Sequence, residues 1–244
     1  MMRALALRLE GPMQSWGGPV AGNDRPSLDL PTKSGVLGLV ASALGIDRAD
    51  VAHLAELHAS FDLAVRADRP GSPGVDYQTV LDVPTAEGKV RKHAVISKRR
   101  YLYDASFAAL LVERKSPCVS LEQIRDALLR PRFAPYLGRR PCPPSVPIVG
   151  RDAQPIVGED WHTLMSQVLV AEHAGAPRYD VHLDAKLAPA ADQRPRRQRD
   201  VLIGRLPRLF GQRVVHVTTW APEAASDTGP HPEDTIDPWL PRAQ

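Results

Sequence analysis

The segment from Leu30 to Ile46, LPTKSGVLGLVASALGI, constrains the fold more than any other, because a helix start, an apolar helix face and a helix stop coincide in it. Pro31 and Thr32 open it, Val36, Leu37, Leu39, Val40, Ala43 and Leu44 recur at helical spacing, and Gly45 stands where a left-handed C-terminal residue is needed. Gly35 and Gly38 each cost about 1 kcal/mol relative to Ala in a helix interior, so close approach of a sheet or a ligand is the expected compensation. Lys33 and Ser34, beside the free N–H groups of the first turn, suggest an anion-binding corner. On that reading Lys33→Glu weakens binding there without unfolding the domain, because the helix dipole tolerates an exposed first-turn acid. An ordinary packed first helix is the plainer alternative.

The flanking segments set this helix between strands. Ala4 to Leu9 alternates Leu5, Leu7 and Leu9 against Ala4, Ala6 and Arg8, a strand with one buried face that ends in the turn-rich GPMQSWGG. Asp47 caps a second helical piece from about Arg48 to His58, and Phe61 to Ala67 reads as a strand. Arg69 to Val75, RPGSPGV, reads as a loop that no strand runs through. Tyr77 to Val83 and Val90 to Ile96 form the arms of an extended hairpin around TAEGK, and Tyr101 to Val112 is further strand. Ser120 opens a helix with Gln123 in the capping-box position, and Pro131 stops it. The resulting order is a split βαβ arrangement with an insertion between its middle strands, an α+β fold. Arg132 to Pro155 is a proline-rich connector and a natural domain boundary. Beyond it Tyr179 to Leu183, Val201 to Ile203 and Val214 to Thr219 read as short strands of a smaller β-rich second half.

The N-terminus carries Arg3, Arg8 and Glu10 within ten residues, too soon for a signal peptide, and no apolar run approaches the roughly 20 residues of a membrane span. Cys118 and Cys142 lack metal-type spacing, so neither a metal site nor a disulfide framework is expected. The expectation is a cytoplasmic protein without cofactor or membrane partner. Net charge is only +3, but the last 24 residues hold five acids and one base. A basic body with a short acidic, Pro-rich tail suits an anionic partner.

Three basic blocks stand out. Lys89 to Arg100, KVRKHAVISKRR, carries six cations and no acid, with Tyr101 and Tyr103 following. On an extended hairpin it makes a basic finger able to follow a phosphodiester backbone while tyrosines offer stacking surfaces. Leu137 to Pro144, LGRRPCPP, fixes Arg139 and Arg140 on a stiff loop suited to phosphate contacts. Arg194 to Arg213 holds seven arginines and a single acid, Asp200. Three such blocks favour convergence on a polyanion, though each alone is equally a solvated surface. Catalytic motifs are weak: GPMQSWGG lacks the Lys-Ser/Thr ending of a phosphate-binding loop, and no GxSxG or HExxH motif occurs. His93 beside Lys92, near Tyr77 and Tyr101, offers at most a general base and charge stabiliser for metal-independent RNA cleavage.

LRLEGPMQSWG, RPSLDLPTKSGVLGLVASALGI, DYQTV, SKRRYLYDASF and PRFAPYLGRRPCPP, in this order and spacing, closely resemble the CasD-type subunits (RAMP superfamily) of the type I-E CRISPR-associated Cascade complex. The resemblance runs from about Ala4 to Pro147 and is looser beyond, resting there on RQRDVLIGRLPRLFGQRVVHV. It implies an RRM-like, ferredoxin-type domain over 1–147 with a hairpin thumb at about 83–97, a smaller β-rich region over 148–220 and a flexible tail over 221–244. It also implies a non-catalytic, ribonucleoprotein role in antiviral defence. Such subunits hold the 5′ handle of the CRISPR RNA and contact the large PAM-recognising subunit and the nearest backbone subunit, reaching target DNA indirectly. Carried onto this chain, the handle-binding residues are Gln14, Ser15, Trp16, Arg25, Thr32, Lys33, Ser34, Lys98, Arg99, Arg100, Tyr101, Arg139 and Arg140. Lys33, Arg99 and Arg139 would neutralise phosphates, and Trp16 or Tyr101 would stack a splayed base. A related subtype uses its equivalent subunit as a metal-independent endoribonuclease through a Tyr, Lys and His set. That alternative places Tyr77, Lys92 and His93 in catalytic roles.

Overall fold

A computed structural model describes residues 1–18, 20, 22–90, 93–172, 174–188, 194–205 and 208–222. Lys92 and nearly all of the expected tail over 221–244 lie outside the described residues. The chain forms strands β1 (Met2–Gln14) and β2 (Asp24–Arg25), helices α1 (Lys33–Leu44) and α2 (Val51–Ser60), and strands β3 (Phe61–Arg69), β4 (Ser72–Val80) and β5 (Val95–Glu113). Helix α3 (Leu121–Leu129), β6 (Ile156–Gly158), α4 (Trp161–Ser166), β7 (Tyr179–Asp184), β8 (Arg194–Arg205) and β9 (Arg208–Trp220) follow. All nine strands share one mainly antiparallel sheet, ordered β6-β1-β5-β3-β7-β9-β8, with β2 and β4 also paired to β5. The α+β class read from the sequence is the class of the structure.

Strand β5 is the spine. Of the expected hairpin arm Val90–Ile96 only Val95 and Ile96 are strand, and they run without a break into the expected Tyr101–Val112 strand as one 19-residue element. Its C-terminal half lies between β1 and β3, and its N-terminal half between β2 and β4. The chain leaves β3 and enters β4 through Gly71, at φ +75, where a Cβ would sit 2.5 Å from the Tyr103 carbonyl. Strand β4 then runs through Ser72–Val75, where a loop was expected. The physical reason is that among the described strands β4 bonds to β5 alone, so an edge strand accommodates Pro73, and Gly74 leaves room for the Tyr103 ring.

Both faces of the sheet are covered, which corrects the expected one-sided β1. Leu5, Leu7 and Leu9 pack with Phe61, Leu63, Phe107 and the apolar sides of α1, α2 and α3. Ala4, Ala64 and Ala108 turn the other way, against Trp161, Leu164, Met165 and Trp220. Arg8, counted on the polar face, is 2% exposed and donates from Nη1 to Asp68 at 2.9 Å. Asp68 also accepts from the buried Arg66 guanidinium and from the Ala171 N–H, so this inner charge is saturated.

Helix α1 has the limits its sequence dictates. Thr32 is the N-cap, its hydroxyl accepting from the Gly35 N–H at 3.1 Å, and Gly45 closes the helix at φ 78. A Cβ on Gly35 would come within 2.9 Å of the Trp16 ring, whereas Gly38 faces open space. Close packing therefore explains one glycine and not the other. Helix α2 starts three residues later than expected, because Asp50 rather than Asp47 caps it through the His53 N–H. Helix α3 carries the full capping box of Ser120 and Gln123.

Beyond the connector, β7 pairs with β3, and β9 and β8 follow, so the sheet continues unbroken past residue 147. Strands β8 and β9 are far longer than the short pieces read from sequence, forming a two-stranded ribbon joined at Arg205–Arg208.

Candidate nucleic-acid interface

Three distant stretches meet at the N-terminal half of β5. Asp24 and Arg25 pair in parallel with Lys98 and Arg99. The Arg139 guanidinium donates to the Arg100, Arg25 and Pro26 carbonyls at 3.1, 2.8 and 3.1 Å, and its Cζ lies 5.1 Å from the Tyr101 ring centre. The loop of Arg139 is seated by Gly138, at φ +86, where a Cβ would overlap the Ser15 carbonyl. Ser15 in turn donates its N–H to Leu137 at 3.1 Å. Glycine is required at this turn both for its conformation and for its contact.

This clasp closes one side of an open cleft of about 480 Å³, lined by Asp24, Arg25, Pro26, Ser27, Val75, Tyr77, Lys98 and Arg100. Strand register explains the lining: Tyr77 lies opposite Lys98 and Val75 opposite Arg100, so all four side chains share a face. Arg25, Lys98 and Arg100 are exposed, and none forms an ion pair among the described residues. Tyr77 is 58% exposed. A cationic rim with an accessible aromatic ring is the arrangement that grips a phosphodiester chain and stacks a base.

The expected binding residues divide into a surface and the scaffold behind it. Arg25, Lys98, Arg100 and Arg140 are exposed, and Arg99 is half-buried with no partner for its Nε. Gln14 is fully buried, donating to the Leu9 and Ala105 carbonyls at 3.0 and 2.8 Å and accepting from the Trp16 indole at 2.9 Å. Ser15 donates to the Arg100 carbonyl, and Thr32 is a helix cap. Trp16 and Tyr101, expected to stack a base, are 2% and 3% exposed. Trp16 is spent on Gly35 and Gln14, and Tyr101 lies under Arg139. Arg139, expected to neutralise a phosphate, is committed to three carbonyls. Ser34 is half-buried at the start of α1.

Lys33 is the clearest correction. It is 5% exposed, and its Nζ lies 3.0 Å from Asp184 Oδ2. Its backbone N–H donates to Asp200 Oδ2 at 2.8 Å. The anion-binding corner at the start of α1 therefore exists, and its anion is a carboxylate of the same chain. Arg213 joins Asp200 and Asp184, the Leu63 N–H donates to Asp184 at 2.9 Å, and Gln198 donates to Asp200 at 2.9 Å. Burial pushes the Lys33 ammonium below its usual pKa, with Asp184 opposing that shift. His58, 9% exposed beside this cluster, has an unpartnered Nδ1, and burial pushes its pKa down to about 4. Sequence reasoning missed this network entirely; the single acid in the third basic block was the only hint.

Of the alternative catalytic set, Lys92 lies outside the described residues and Tyr77 and His93 are not paired by strand register. Tyr77 stands opposite Lys98, while β4 and β5 cease pairing at Val80 and Val95, so His93 lies beyond the paired strands on an exposed connection. Among the described residues no group of three or more His, Cys, Asp and Glu side chains is placed to hold a metal ion. No helix among them is long and apolar enough to cross a membrane.

Comparison with known proteins adds a family context. The sequence model of a family described as CRISPR-associated protein (Cas_Cas5) matches residues 4–215. The CRISPR system Cascade subunit CasD of Escherichia coli (strain K12) is 40% identical over 157 residues, 61% of this chain and 70% of that protein. A chain of a CRISPR RNA-guided surveillance complex superposes with a TM-score of 0.69 at 28% identity, over 90% of both chains. A crystal structure of a Cas protein superposes with a TM-score of 0.64 at 30% identity, over 91% of this chain and 100% of the other.

Proposed function

The chain belongs to the Cas5 family of CRISPR-associated proteins as a CasD-type Cascade subunit, and from that premise we propose that it holds the 5′ handle of the CRISPR RNA in the cleft at the start of β5. One observation carries this reading: Arg25, Lys98 and Arg100, from two segments far apart in sequence, surround one accessible tyrosine, Tyr77. The three cations neutralise successive phosphates and Tyr77 stacks a base, while Arg99 and Arg140 extend the basic rim. Gln14, Ser15, Trp16, Thr32, Tyr101 and Arg139 act through the scaffold, fixing the height of the first loop against β5. The order β6-β1-β5-β3, with helices crossing from β1 to β3 over β5, supports the RRM-like description of the N-terminal region.

The β4–β5 ribbon and its connection, with exposed Val80, Leu81, Val90 and Ile96, supply the thumb that docks on the nearest backbone subunit. The large PAM-recognising subunit adjoins the handle end, and target DNA is engaged through the guide. In this reading the subunit binds RNA without cutting it, and Tyr77 serves the cleft.

The test is RNA affinity of the purified chain, by fluorescence anisotropy, for a handle-containing RNA and a scrambled control over about 50 to about 200 mM salt. Lys98→Gln with Arg100→Gln removes two phosphate contacts and is expected to flatten the log–log salt slope by about 1.4. Equal affinity for handle and scrambled RNA, or an unchanged slope in the double variant, refutes the cleft as the handle site. Defined cleavage of repeat RNA in EDTA, abolished by His93→Ala, refutes the non-catalytic role.

A further inference from the structure

The third basic block does not join the cleft, and the reason is geometric. Strand register carries a level line from Pro195 through His216, Leu183 and Ala64 to Leu110 on β5, ten residues along that strand from Arg100. Three strands, β3, β7 and β9, thus separate β8 from β5 along the sheet, while on the helical face Asp200 of β8 meets the Lys33 N–H at the start of α1. None of the β8 residues lines the cleft.

Within the block, the one acid is withdrawn. Asp200 is 2% exposed and bound by Arg213, Gln198 and the first N–H of α1. Arg213 is consumed by the same cluster. Arg196, Arg197 and Arg199 remain exposed, with no ion pair among the described residues; only the Arg199 Nε is used, donating to the Phe210 carbonyl at 2.8 Å. Strand alternation sends Arg197 and Arg199 to one face and Arg196 to the other. Among the described strands β8 pairs only with β9, so it is the last strand of the sheet on that side. Guanidinium groups on both faces of this edge form a rail complementary to a chain of phosphodiesters.

We propose that the outer edge of β8 is a second nucleic-acid-binding surface, which grips a phosphodiester backbone through Arg196, Arg197 and Arg199 independently of the handle cleft. The surface reads charge and not sequence. A protein neighbour with an acidic face, or arginines that merely guard an edge strand, are the competing outcomes.

The experiment compares wild type with Arg196→Gln/Arg197→Gln/Arg199→Gln, and each in the Lys98→Gln/Arg100→Gln background, for binding to unrelated single-stranded RNA and to duplex DNA. Losing three phosphate contacts lowers the log–log salt slope by about 2.7 for duplex DNA or about 2.1 for a single strand, with affinity falling at least about tenfold. The arm with the larger loss identifies the strand type. The loss persists in the cleft-variant background, and the Arg196→Lys/Arg197→Lys/Arg199→Lys chain retains most of the slope. Unchanged slope and affinity in both arms overturn the proposal, as does self-association of the triple variant without any change in slope. Where the triple variant loses its melting transition, Arg197→Glu alone replaces it, with the same sign expected and the same refutation. Handle affinity measured in parallel separates a failure here from a failure of the cleft.

Discussion

Replacing Lys33 by Met separates a surface phosphate contact from an internal strut. If Lys33 faced RNA, the Met variant would melt normally and bind RNA weakly. The structure predicts the reverse, because the Lys33 side chain is 6% exposed and paired with a carboxylate that is equally buried. Removing one partner of a buried pair costs about 3–5 kcal/mol, since the other charge stays buried. Asp184 keeps Arg213 and the Leu63 N–H, which places the loss near the lower end, about 3 kcal/mol. At about 2–4 °C per kcal/mol for a chain of this size, the melting temperature falls by roughly 6–12 °C. Lys33→Glu falls further, because it sets a third carboxylate beside Asp184 and Asp200. Circular dichroism melts at low and high salt check both variants. The shift is expected to survive added salt, because buried pairs are poorly screened. RNA affinity below the transition should match wild type. A Met variant that melts within about 2 °C of wild type yet loses RNA affinity would refute the strut.

The two glycines of α1 should respond with opposite signs. Gly38→Ala, in open space, gains up to about 1 kcal/mol from helix propensity, while Gly35→Ala crowds Trp16 and costs about 1–3 kcal/mol; urea midpoints distinguish the two. For His58, the folded ring titrates near 4 and the unfolded ring near 6.5, so the unfolded state binds more protons between those values. Stability present above pH 6.5 should therefore be lost as pH falls, by at most about 1.4 kcal/mol per unit, and His58→Gln should flatten that decline in urea titrations. An identical pH profile for His58→Gln would remove His58 from the acid response.

What could be read from the chain alone was what local chemistry determines. Helices α1 and α3 have the expected caps because Thr32, Gly45, Ser120 and Gln123 act within a turn of themselves. Strand β4 escaped because Pro and Gly forbid a strand only where both edges are paired, and edge status is a property of the sheet. Lys33 escaped because its partners Asp184 and Asp200 are 151 and 167 residues away. The same holds for Arg139, which in sequence is one of two loop arginines and in the fold is the clasp between Arg25 and Arg100.

Sequence counts cations, whereas a partner meets only those that no internal acid has claimed. Arg8, Lys33, Arg66, Arg114 and Arg213 are all committed to Asp68, Asp184, Asp62 or Asp200 inside the fold. Each such pair hides a cation and a carboxylate together, so the net charge is unchanged while fewer cations face a partner than the sequence counts. The formal net charge of +3 therefore says little about the field a nucleic acid encounters. That field is set by where the acids are buried: beneath β8, Asp200 is turned inward, and the arginines left outside it on that strand present a charge that the composition conceals.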